Sequence, residues 1–566
     1  MGGIAGWVDP VDPLAGGGRV VRRMTDALVA RGSGGEGLFV GVHAILGHRR
    51  LAAGGHQPVV LGDDGGEPLV VLSYSGEVVN HVDLRFELEL LGHKFRTGTD
   101  TEVVLHACQE WGIGAAERLD GVYAFAVWDA VRRRLLLVRD RLGVKPLCYS
   151  GVGSGVVFAS EPKALFASGL VESAVDERGL RDLLASVRTP GGSLYRDVRE
   201  LPPGHVLVVD GSGVRDHRYW ALEARPHTDD GPTTAARTRD LLVDITARHV
   251  RADVPPGVLL SGGLDSGVLV ELGRKALRGT TVRTFSAGSA HKGVVDHRDL
   301  VLDPAELGGP ALREAIVTAR DAPSTGNGDA SLLLLFRAVR EHVGVVLSGE
   351  GADEVFGGHP WFHDPEALAA ADYPWPHLAG CRALLRADVA AELDLTAHRA
   401  EHYRQALADV PVLAGEPAVQ RRTREVSALH LAHWLPDLLD RQDRLSTAVG
   451  LEVRLPFCDH RLVEYAFNTP WSRHTAGGRA KSLLRAAAAA DLPSSVPESV
   501  KVPSPNPRVI RDQVGDLLAT PSAPVWSYLD PAAVRKRSSR PDVEFALSFD
   551  VWLRSGPARA SSTRRT

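Results

Sequence analysis

Two loops carry residues whose types and spacing could do chemistry. The first follows the apolar run Val258-Leu259-Leu260 and reads Ser261-Gly262-Gly263-Leu264-Asp265-Ser266, with an apolar stretch from Gly267 onward. Its glycines let the backbone approach an anion, and a helix starting there points free N–H groups at it. Ser261 and Ser266 add hydroxyl donors. A carboxylate in an anion-cradling loop needs a cation between the two charges, which makes Asp265 a candidate Mg²⁺ ligand. A tight turn with a serine helix cap would account for Ser-Gly-Gly alone, but not for Asp265 and Ser266 as well. No lysine follows the glycines, so this is not the GxxxxGKS/T phosphate loop. The second loop follows Gly344–Leu347 and reads Ser348-Gly349-Glu350-Gly351-Ala352-Asp353-Glu354-Val355-Phe356-Gly357-Gly358. Its carboxylates, Glu350, Asp353 and Glu354, repel one another at neutral pH unless a cation or a catalytic proton offsets them.

Both loops need a strand before them and a helix after. The second half of the chain has that alternation. Gly257–Leu260, Val282–Ser286 and Gly344–Leu347 each lead into a turn and a long helical stretch, the pattern of a parallel α/β sheet. From about Glu366 the chain reads mostly helical. The first half reads instead as short strands, among them Gly37–Ile45, Leu69–Ser75, Tyr123–Trp128, Leu135–Arg139 and Gly155–Ser160. Helical stretches at Val82–Leu91 and Thr101–Glu110 make it α+β. Ala221–Thr233 breaks all periodicity. The expected organisation is a domain over 1–220, a linker over 221–233, a second domain over 234–554 and a disordered tail over 555–566.

The 566 residues are 44% hydrophobic and 24% charged, with a net charge of −5. That balance suits a globular enzyme and argues against a nucleic-acid binder working through a basic surface. No apolar run approaches the roughly 20 residues needed to span a bilayer. The opening residues lack a basic stretch followed by an apolar one, so a cytoplasmic protein is expected. Cys108, Cys148, Cys381 and Cys458 are scattered without a CxxC pair, which excludes a disulfide framework and a cysteine-rich metal site. Eight lysines stand against 57 arginines, so a lysine inside a motif is less readily filler.

The SGGxDS loop resembles that of the PP-loop (N-type) ATP pyrophosphatases. The resemblance implies cleavage of ATP between the α- and β-phosphates, giving AMP and pyrophosphate through an acyl-adenylate. The wider chain, over about residues 1–510, resembles the asparagine synthetase family. The resemblance is carried by the Ser348–Gly358 loop, by Leu439-Asp440-Arg441-Gln442-Asp443-Arg444-Leu445-Ser446, and by Gly450 to Asp459. In the amino half it is carried by Gly3-Ile4-Ala5-Gly6-Trp7, Gly47-His48-Arg49-Arg50-Leu51, Ser75-Gly76-Glu77, Asp140 to Leu147 and Phe158 to Lys163. It implies an α+β sandwich of the N-terminal-nucleophile type that makes ammonia from glutamine. An α/β PP-loop domain with a helical C-terminal part would follow and activate a carboxylate with ATP.

Carried over by position, Asp265 and Asp353 correspond to Mg²⁺ ligands. Leu259, Ala287, Ser348 and Gly349 correspond to nucleotide contacts beside Ser261, Gly262, Gly263 and Ser266. Glu350 corresponds to a catalytic carboxylate near the attacking amine. Lys501, after Leu492-Pro493 and the helical stretch Lys481–Ala490, resembles the family's lysine on an active-site loop, where a cation would stabilise charge on phosphates or a tetrahedral intermediate. Ser499 stands where the family usually has arginine. Asp443 and Arg444 fit either a structural ion pair or a substrate-facing role, and so do Glu452 and Arg454. His363, His433 and His460 are expected to be structural, and Trp361 and Trp434 to be core or pocket walls. The resemblance is compatible with a homodimer.

The resemblance breaks at the amino end. The family's glutaminase nucleophile is a cysteine directly after the initiator methionine, and here that residue is Gly2. Without a side chain there is no thiolate to attack the amide. The family's Arg-Gly-Pro-Asp turn reads Arg31-Gly32-Ser33-Gly34, the segment Ala52–Pro58 is shortened, and Ser75 replaces an asparagine, although some relatives with intact glutaminases carry serine there. Arg50, Gly76, Glu77 and Asp100 remain at the positions of the glutamine-binding groups. Several departures in one pocket fit a decayed glutaminase better than an engineered change or a sequencing error. In the second half, Phe285-Ser286-Ala287-Gly288 passes quickly to Val295-Asp296-His297-Arg298-Asp299-Leu300, where the family has an intervening helix.

The expected function is therefore an ATP-dependent, AMP-forming carbon–nitrogen ligase, using ATP and Mg²⁺. It would adenylate a small-molecule carboxylate and pass it to an amine or ammonia without its own glutamine hydrolysis, in specialised metabolism. β-Lactam synthetases, carbapenam synthetases and lasso-peptide cyclases are similar in lacking the N-terminal cysteine. Glu350 stands where β-lactam-type members have tyrosine, which argues against that activity. The alternatives are asparagine synthesis with free ammonia or a partner glutaminase, and a non-catalytic ATP-binding protein.

Overall fold

A computed structural model describes residues 2–51, 55–62, 67–250, 256–277, 282–287, 296–303, 305–324, 326, 328–375, 379–490, 507–538 and 542–556. Up to Arg218 the chain builds two six-stranded antiparallel sheets. One runs, in spatial order, Arg199–Glu200, Cys148–Val152, Gly155–Ala159, Gly2–Val8, Ala44–Arg50 and Glu36–Val40. The other runs Gly213–Arg218, His205–Asp210, Arg134–Arg139, Gly121–Asp129, Pro68–Val78 and Val59–Gly62. The two-residue period of a strand divides its side chains between layers. In Gly2–Val8, Ile4 and Val8 enter the core between the sheets with Leu46, Trp128 and Leu137. Ala5 and Trp7 face the other way, into the apolar cluster that contains Val21 and Met24 of the helix Gly17–Asp26. The helices His81–Leu90 and Asp100–Trp111 cover the outside of the second sheet through Leu84, Leu88 and Val104.

The stretch Gly37–Ile45, expected as one strand, is a hairpin of Glu36–Val40 and Ala44–Arg50, closed by Gly41 N–H donating to the Ala44 carbonyl at 2.9 Å. The apolar alternation runs through the turn and hides it. The chain from Trp220 to Asp230 carries no regular element. A helix then runs from Gly231 to His249, capped by the Asp230 carboxylate on the Thr233 N–H at 2.8 Å.

The second half contains a five-stranded, all-parallel sheet ordered His297–Leu300, Thr284–Ala287, Gly257–Leu259, Val345–Leu347 and Glu452–Arg454. Val258, Phe285, Val346 and Leu347 are buried, as strands covered on both faces require. From the central strand Gly257–Leu259 the chain first builds outward to one side, then returns to build on the other. The crevice at the carboxyl ends of Gly257–Leu259 and Val345–Leu347 is therefore a topological switch point, where open α/β sheets bind ligands. Helices fill the rest. The last described helix, Val543–Ser555, includes Ser555. Ser555, expected to open a disordered tail, instead ends this helix, because Val543 to Trp552 bury enough apolar surface to order it; 557–566 lie outside the described residues. No helix among the described residues is long and apolar enough to cross a membrane.

The halves share a core and a buried ion cluster. Trp552 donates its indole N–H to the Tyr195 hydroxyl at 2.9 Å. Asp443 accepts from Arg31 and from Lys145, both at 2.7 Å, and Arg31 also donates to Glu161 at 2.8 Å. All four charged side chains are almost fully buried. Removing one partner from such a cluster strands the others in low dielectric, at about 3–5 kcal/mol. Asp443→Ala is expected to lower the unfolding free energy read from denaturant titration by that amount, whereas Glu223→Ala, which breaks the exposed Glu223–Arg225 pair, leaves it unchanged.

Candidate active site

The loop Ser261–Ser266 leaves the central strand and enters the helix Leu264–Ala276. Gly262 has a φ of +80°, a left-handed conformation that glycine adopts without a steric penalty. Ser266 Oγ accepts from the Ser261 N–H at 3.1 Å and lies 3.1 Å from Ser261 Oγ, so the two hydroxyls tie the loop to the first helical turn. Gly263 begins the helix with no side-chain cap, which leaves its first N–H groups free for an anion.

The second loop leaves the neighbouring strand. Ser348 N–H donates to the Arg454 carbonyl at 3.0 Å, and Glu350 N–H donates to Ser348 Oγ at 3.3 Å. Ala352–Phe356 is a short helix carrying Asp353 and Glu354; Glu354 pairs with His359 at 2.7 Å. Asp353 and Asp265 converge on one cation, Lys481. Its Nζ lies 2.5 Å from Asp265 Oδ2 and 2.7 Å from Asp353 Oδ1. Lys481 has a φ of +55°, a conformation rarely held by a residue with a side chain and found where surrounding structure imposes it. Burial raises the Asp265 carboxyl above its ordinary range, and Lys481 offsets only part of that, because Asp353 adds like charge. The Lys481 ammonium is held above its usual value; its burial opposes this, but Asp265 and Asp353 outweigh it. Glu350 is pushed up to about 7, chiefly by burial, with Glu354 and Asp353 adding to it and Arg441 opposing.

These groups line a cavity of about 580 Å³. Its walls include Leu259, Ser261, Asp265, Ser266 and Ala287 from the first side, and Ser348, Gly349, Glu350 and Asp353 from the second. Gly262 and Gly263 are not among its lining residues. A second cavity, of about 440 Å³ and lined partly by Leu142, Trp220 and Pro436, contains no residue of the anion loop or the acidic loop. For a cation, Asp265 Oδ1 is buried without a hydrogen-bond partner. Among the described residues no group of three or more His, Cys, Asp or Glu could hold a metal alone. Two carboxylates beside an anion loop fit Mg²⁺, which is bound by one or two carboxylates completed by phosphate oxygens and water.

Four expected substrate candidates lie elsewhere. Asp443 belongs to the buried cluster with Arg31 and Lys145, not to a pair with Arg444. Arg444 donates to Asp440 at 2.7 Å and to Asp321 at 3.2 Å. Arg454 donates to Glu452 and to Glu77 of the first half, both at 2.8 Å. None of the four lines the cavity; each has its charge satisfied within the protein. Lys501 lies outside the described residues. Lys481, missed as a site residue, comes from the helical stretch Lys481–Ala490, observed as Ser482–Ala488; the scarcity of lysine was the one signal that could have singled it out. Arg441 and Gln442, from the same motif as Asp443 and Arg444, also line the cavity.

At the amino end, Ser75 Oγ donates to the Gly2 carbonyl at 2.7 Å and accepts from the Gly2 N–H at 3.4 Å. A Cβ on Gly2 would lie 1.9 Å from the Arg49 carbonyl oxygen, so this strand pairing admits no side chain there without moving. Asp100 accepts from the Tyr74 hydroxyl at 2.7 Å and the Val78 N–H at 3.0 Å. Arg50 donates to the Gly34 carbonyl at 2.9 Å. Gly76, next to Ser75, has a φ of +156°, a conformation that residues with side chains rarely adopt. Burial pushes the Glu77 carboxyl up to about 8 despite Arg454 beside it, with Glu452 and Asp100 adding like charge.

Comparison with known proteins agrees with this architecture. Residues 1–220 match the Glutamine amidotransferase domain family and residues 237–554 match the Asparagine synthase family. The chain is 36% identical over 546 residues to asparagine synthetase 3 (glutamine-hydrolyzing) of Bacillus subtilis strain 168, covering 89% of this chain and 87% of that one. It is 27% identical over 541 residues to asparagine synthetase 1 (glutamine-hydrolyzing) of the same organism, covering 86% and 84%. With an N-terminal-nucleophile-type sandwich followed by a parallel α/β sheet and helices, the chain belongs to the asparagine synthetase family.

Proposed function

We propose that this protein is an ATP-dependent, AMP-forming ligase that joins a small-molecule carboxylate to an amine or to ammonia without hydrolysing glutamine itself. The observation that carries the reading is the convergence of an anion loop, two carboxylates and Lys481 at the switch point of the sheet, in a chain whose position 2 has no side chain. The free N–H groups at the start of the helix Leu264–Ala276 hold the phosphates. Asp265 and Asp353 would hold Mg²⁺, which supplies charge neutralisation on those phosphates. Lys481 remains beside them as a second cation and stabilises the departing pyrophosphate. An oxygen of the substrate carboxylate attacks the α-phosphorus, the bond to pyrophosphate breaks, and the acyl-adenylate remains in the cavity. The amine nitrogen then attacks the acyl carbon, Glu350 takes the proton it sheds, and AMP leaves as the amide forms. A carboxylate titrating near 7 is suited to that transfer at neutral pH.

Glutamine hydrolysis by a domain of this type relies on a nucleophilic thiolate at the residue after the initiator methionine. Gly2 offers none, and Cys108, Cys148, Cys381 and Cys458 are all buried, with burial pushing their thiols well up. The reading thus departs from the glutamine-hydrolyzing activity in the relatives' names. Their identity to this chain favours a second reading, asparagine made from aspartate with free ammonia or a partner's glutaminase.

Product analysis with ATP, Mg²⁺ and aspartate or other small acids is expected to give AMP and an amide with ammonium or an amine, and none with glutamine as sole nitrogen source. Asparagine from aspartate and ammonium selects the second reading; asparagine from glutamine overturns both. No AMP with any acid and amine leaves only nucleotide binding. Lys481→Met is expected to weaken ATP binding, read by calorimetry, about tenfold or more. At saturating substrates, turnover is expected to rise with pH through about 7 as Glu350 loses its proton, then level off. Glu350→Gln is expected to lower turnover by about 100-fold and to remove that inflection.

A further inference from the structure

An amine that attacks an acyl-adenylate as a neutral molecule sheds one proton on the way to the amide. An amine that arrives as its cation sheds two, because its nitrogen has no lone pair until the first has gone. Alkylamines resemble the lysine side chain, which keeps its proton up to about pH 10. Around the cavity the carboxylates of Asp265, Glu350, Asp353 and Glu354 outnumber the cations Lys481 and Arg441. A site with that balance draws in the cationic form. Glu350 accounts for one proton, so the other needs a second acceptor.

His359 follows the acidic loop and lines the same cavity as Glu350. Its Nε2 lies 2.7 Å from Glu354 Oε1. A carboxylate only accepts, so Nε2 carries the hydrogen and Nδ1 the lone pair. The Glu354 side chain is 2% exposed and that of His359 19%. Nδ1 has no hydrogen-bond partner among the described residues, and it is not a buried atom. The imidazole is stacked on Trp361, with ring centroids 4.4 Å apart and planes 12° apart. Trp361 is held in turn by its indole N–H, which donates to His430 Nε2 at 2.6 Å. His430 opens a π-helical turn, His430–Trp434, between the helices Ala418–Leu429 and Leu435–Thr447. Such turns within helices are frequent at functional sites, and this one also sets Trp434 edge-on to the His359 ring. A buried carboxylate thus fixes the tautomer, a ring stack fixes the plane, and one nitrogen is left accessible, which is how a general base is presented. The neighbouring groups are committed. Asp265 and Asp353 share Lys481, Glu354 is taken by His359, and burial pushes His430 down to about 3, which makes it a poor base at neutral pH.

We propose that His359, oriented by Glu354, is a second catalytic base of this site, and that the amine enters it as the protonated cation. Nδ1 takes a proton from the ammonium nitrogen. The freed lone pair attacks the acyl carbon, the bond to AMP breaks, and Glu350 takes the second proton. Glu354 and the face of Trp361 balance the imidazolium that forms. The inference rests on the ligase reading above and adds to it the charge state of the amine.

The test uses the full chain with ATP, Mg²⁺ and L-aspartate, succinate or benzoate. It compares ammonium and methylammonium with hydroxylamine, which is largely neutral at neutral pH and sheds a single proton. Exchange of pyrophosphate into ATP without any amine reads adenylation by itself. His359→Gln is expected to lower amide formation from ammonium and methylammonium about 100-fold, and from hydroxylamine less than about threefold. Its pyrophosphate exchange and its melting temperature should stay unchanged. Glu354→Gln, which removes the charge that orients and balances the ring, should change the three amines in the same order. Equal losses with all three amines, or no loss with any, overturn the inference, while exchange in the wild type keeps the ligase reading standing. So does a wild type that uses hydroxylamine but neither cation. A loss of exchange in His359→Gln, or a fall of several degrees in its melting temperature, marks the histidine as structural and overturns the inference too. No exchange and no amide from the wild type with any of these acids removes the ligase reading, and the inference with it.

Discussion

Two carboxylates delivered to one place by neighbouring strands must share a cation, and much of this structure follows from that. Asp265 and Asp353 come from separate loops and meet at Lys481. One positive charge against two negative ones raises the lysine but does not bring the Asp265 carboxyl down to its ordinary range. The site keeps an excess of negative charge beside an N-terminal helix turn that favours anions. That combination suits a metal-bound polyphosphate, because the metal meets the carboxylates and the phosphates meet the N–H groups. The parallel sheet exists to make the meeting possible. Only a change of building direction beside the strand Gly257–Leu259 puts Val345–Leu347 next to it.

The amino half is joined to this sheet by charges that have left their surface roles. Arg454, at the carboxyl end of the edge strand, divides one positive charge between Glu452 and Glu77. Glu452 is held below the usual carboxylate range even though burial pushes it the other way, since Arg454 is beside it; Glu77, on the far side of the same guanidinium, keeps its proton up to about 8. With Asp443 clamped between Arg31 and Lys145, the sandwich and the sheet cannot part without stranding buried charge. A sandwich so attached retains a structural purpose whether or not it cleaves glutamine. A Cβ at position 2 would meet the Arg49 carbonyl, so the strand pairing at its amino end leaves no room for a side chain there.

The anion loop and the acidic loop could be read in the sequence because each is contiguous. Strand, glycines, hydroxyls and carboxylate follow one another, and the local backbone rules that bring them together act over a few residues. The alternation of strand and helix, and so the parallel sheet, was legible for the same reason. The hairpin within Gly37–Ile45 was not, because apolar alternation passed unbroken through its turn. Asp443, Arg444, Glu452 and Arg454 could be seen as charged residues in a motif, yet whether they faced a ligand or one another depended on partners such as Arg31 and Glu77, far away in the chain.

By itself, then, the sequence determined the two domain types, the anion loop, the carboxylates and the missing side chain at position 2. Each is a property of adjacent residues and needs no knowledge of distant ones. The tertiary structure decided which cation answers Asp265, since Lys481 is 216 residues away and no local pattern marks it. It decided that Asp443 and Arg454 bind the halves together instead of lining the cavity. Charge pairing and burial act through space, and the distances that govern them are set only when the chain has closed.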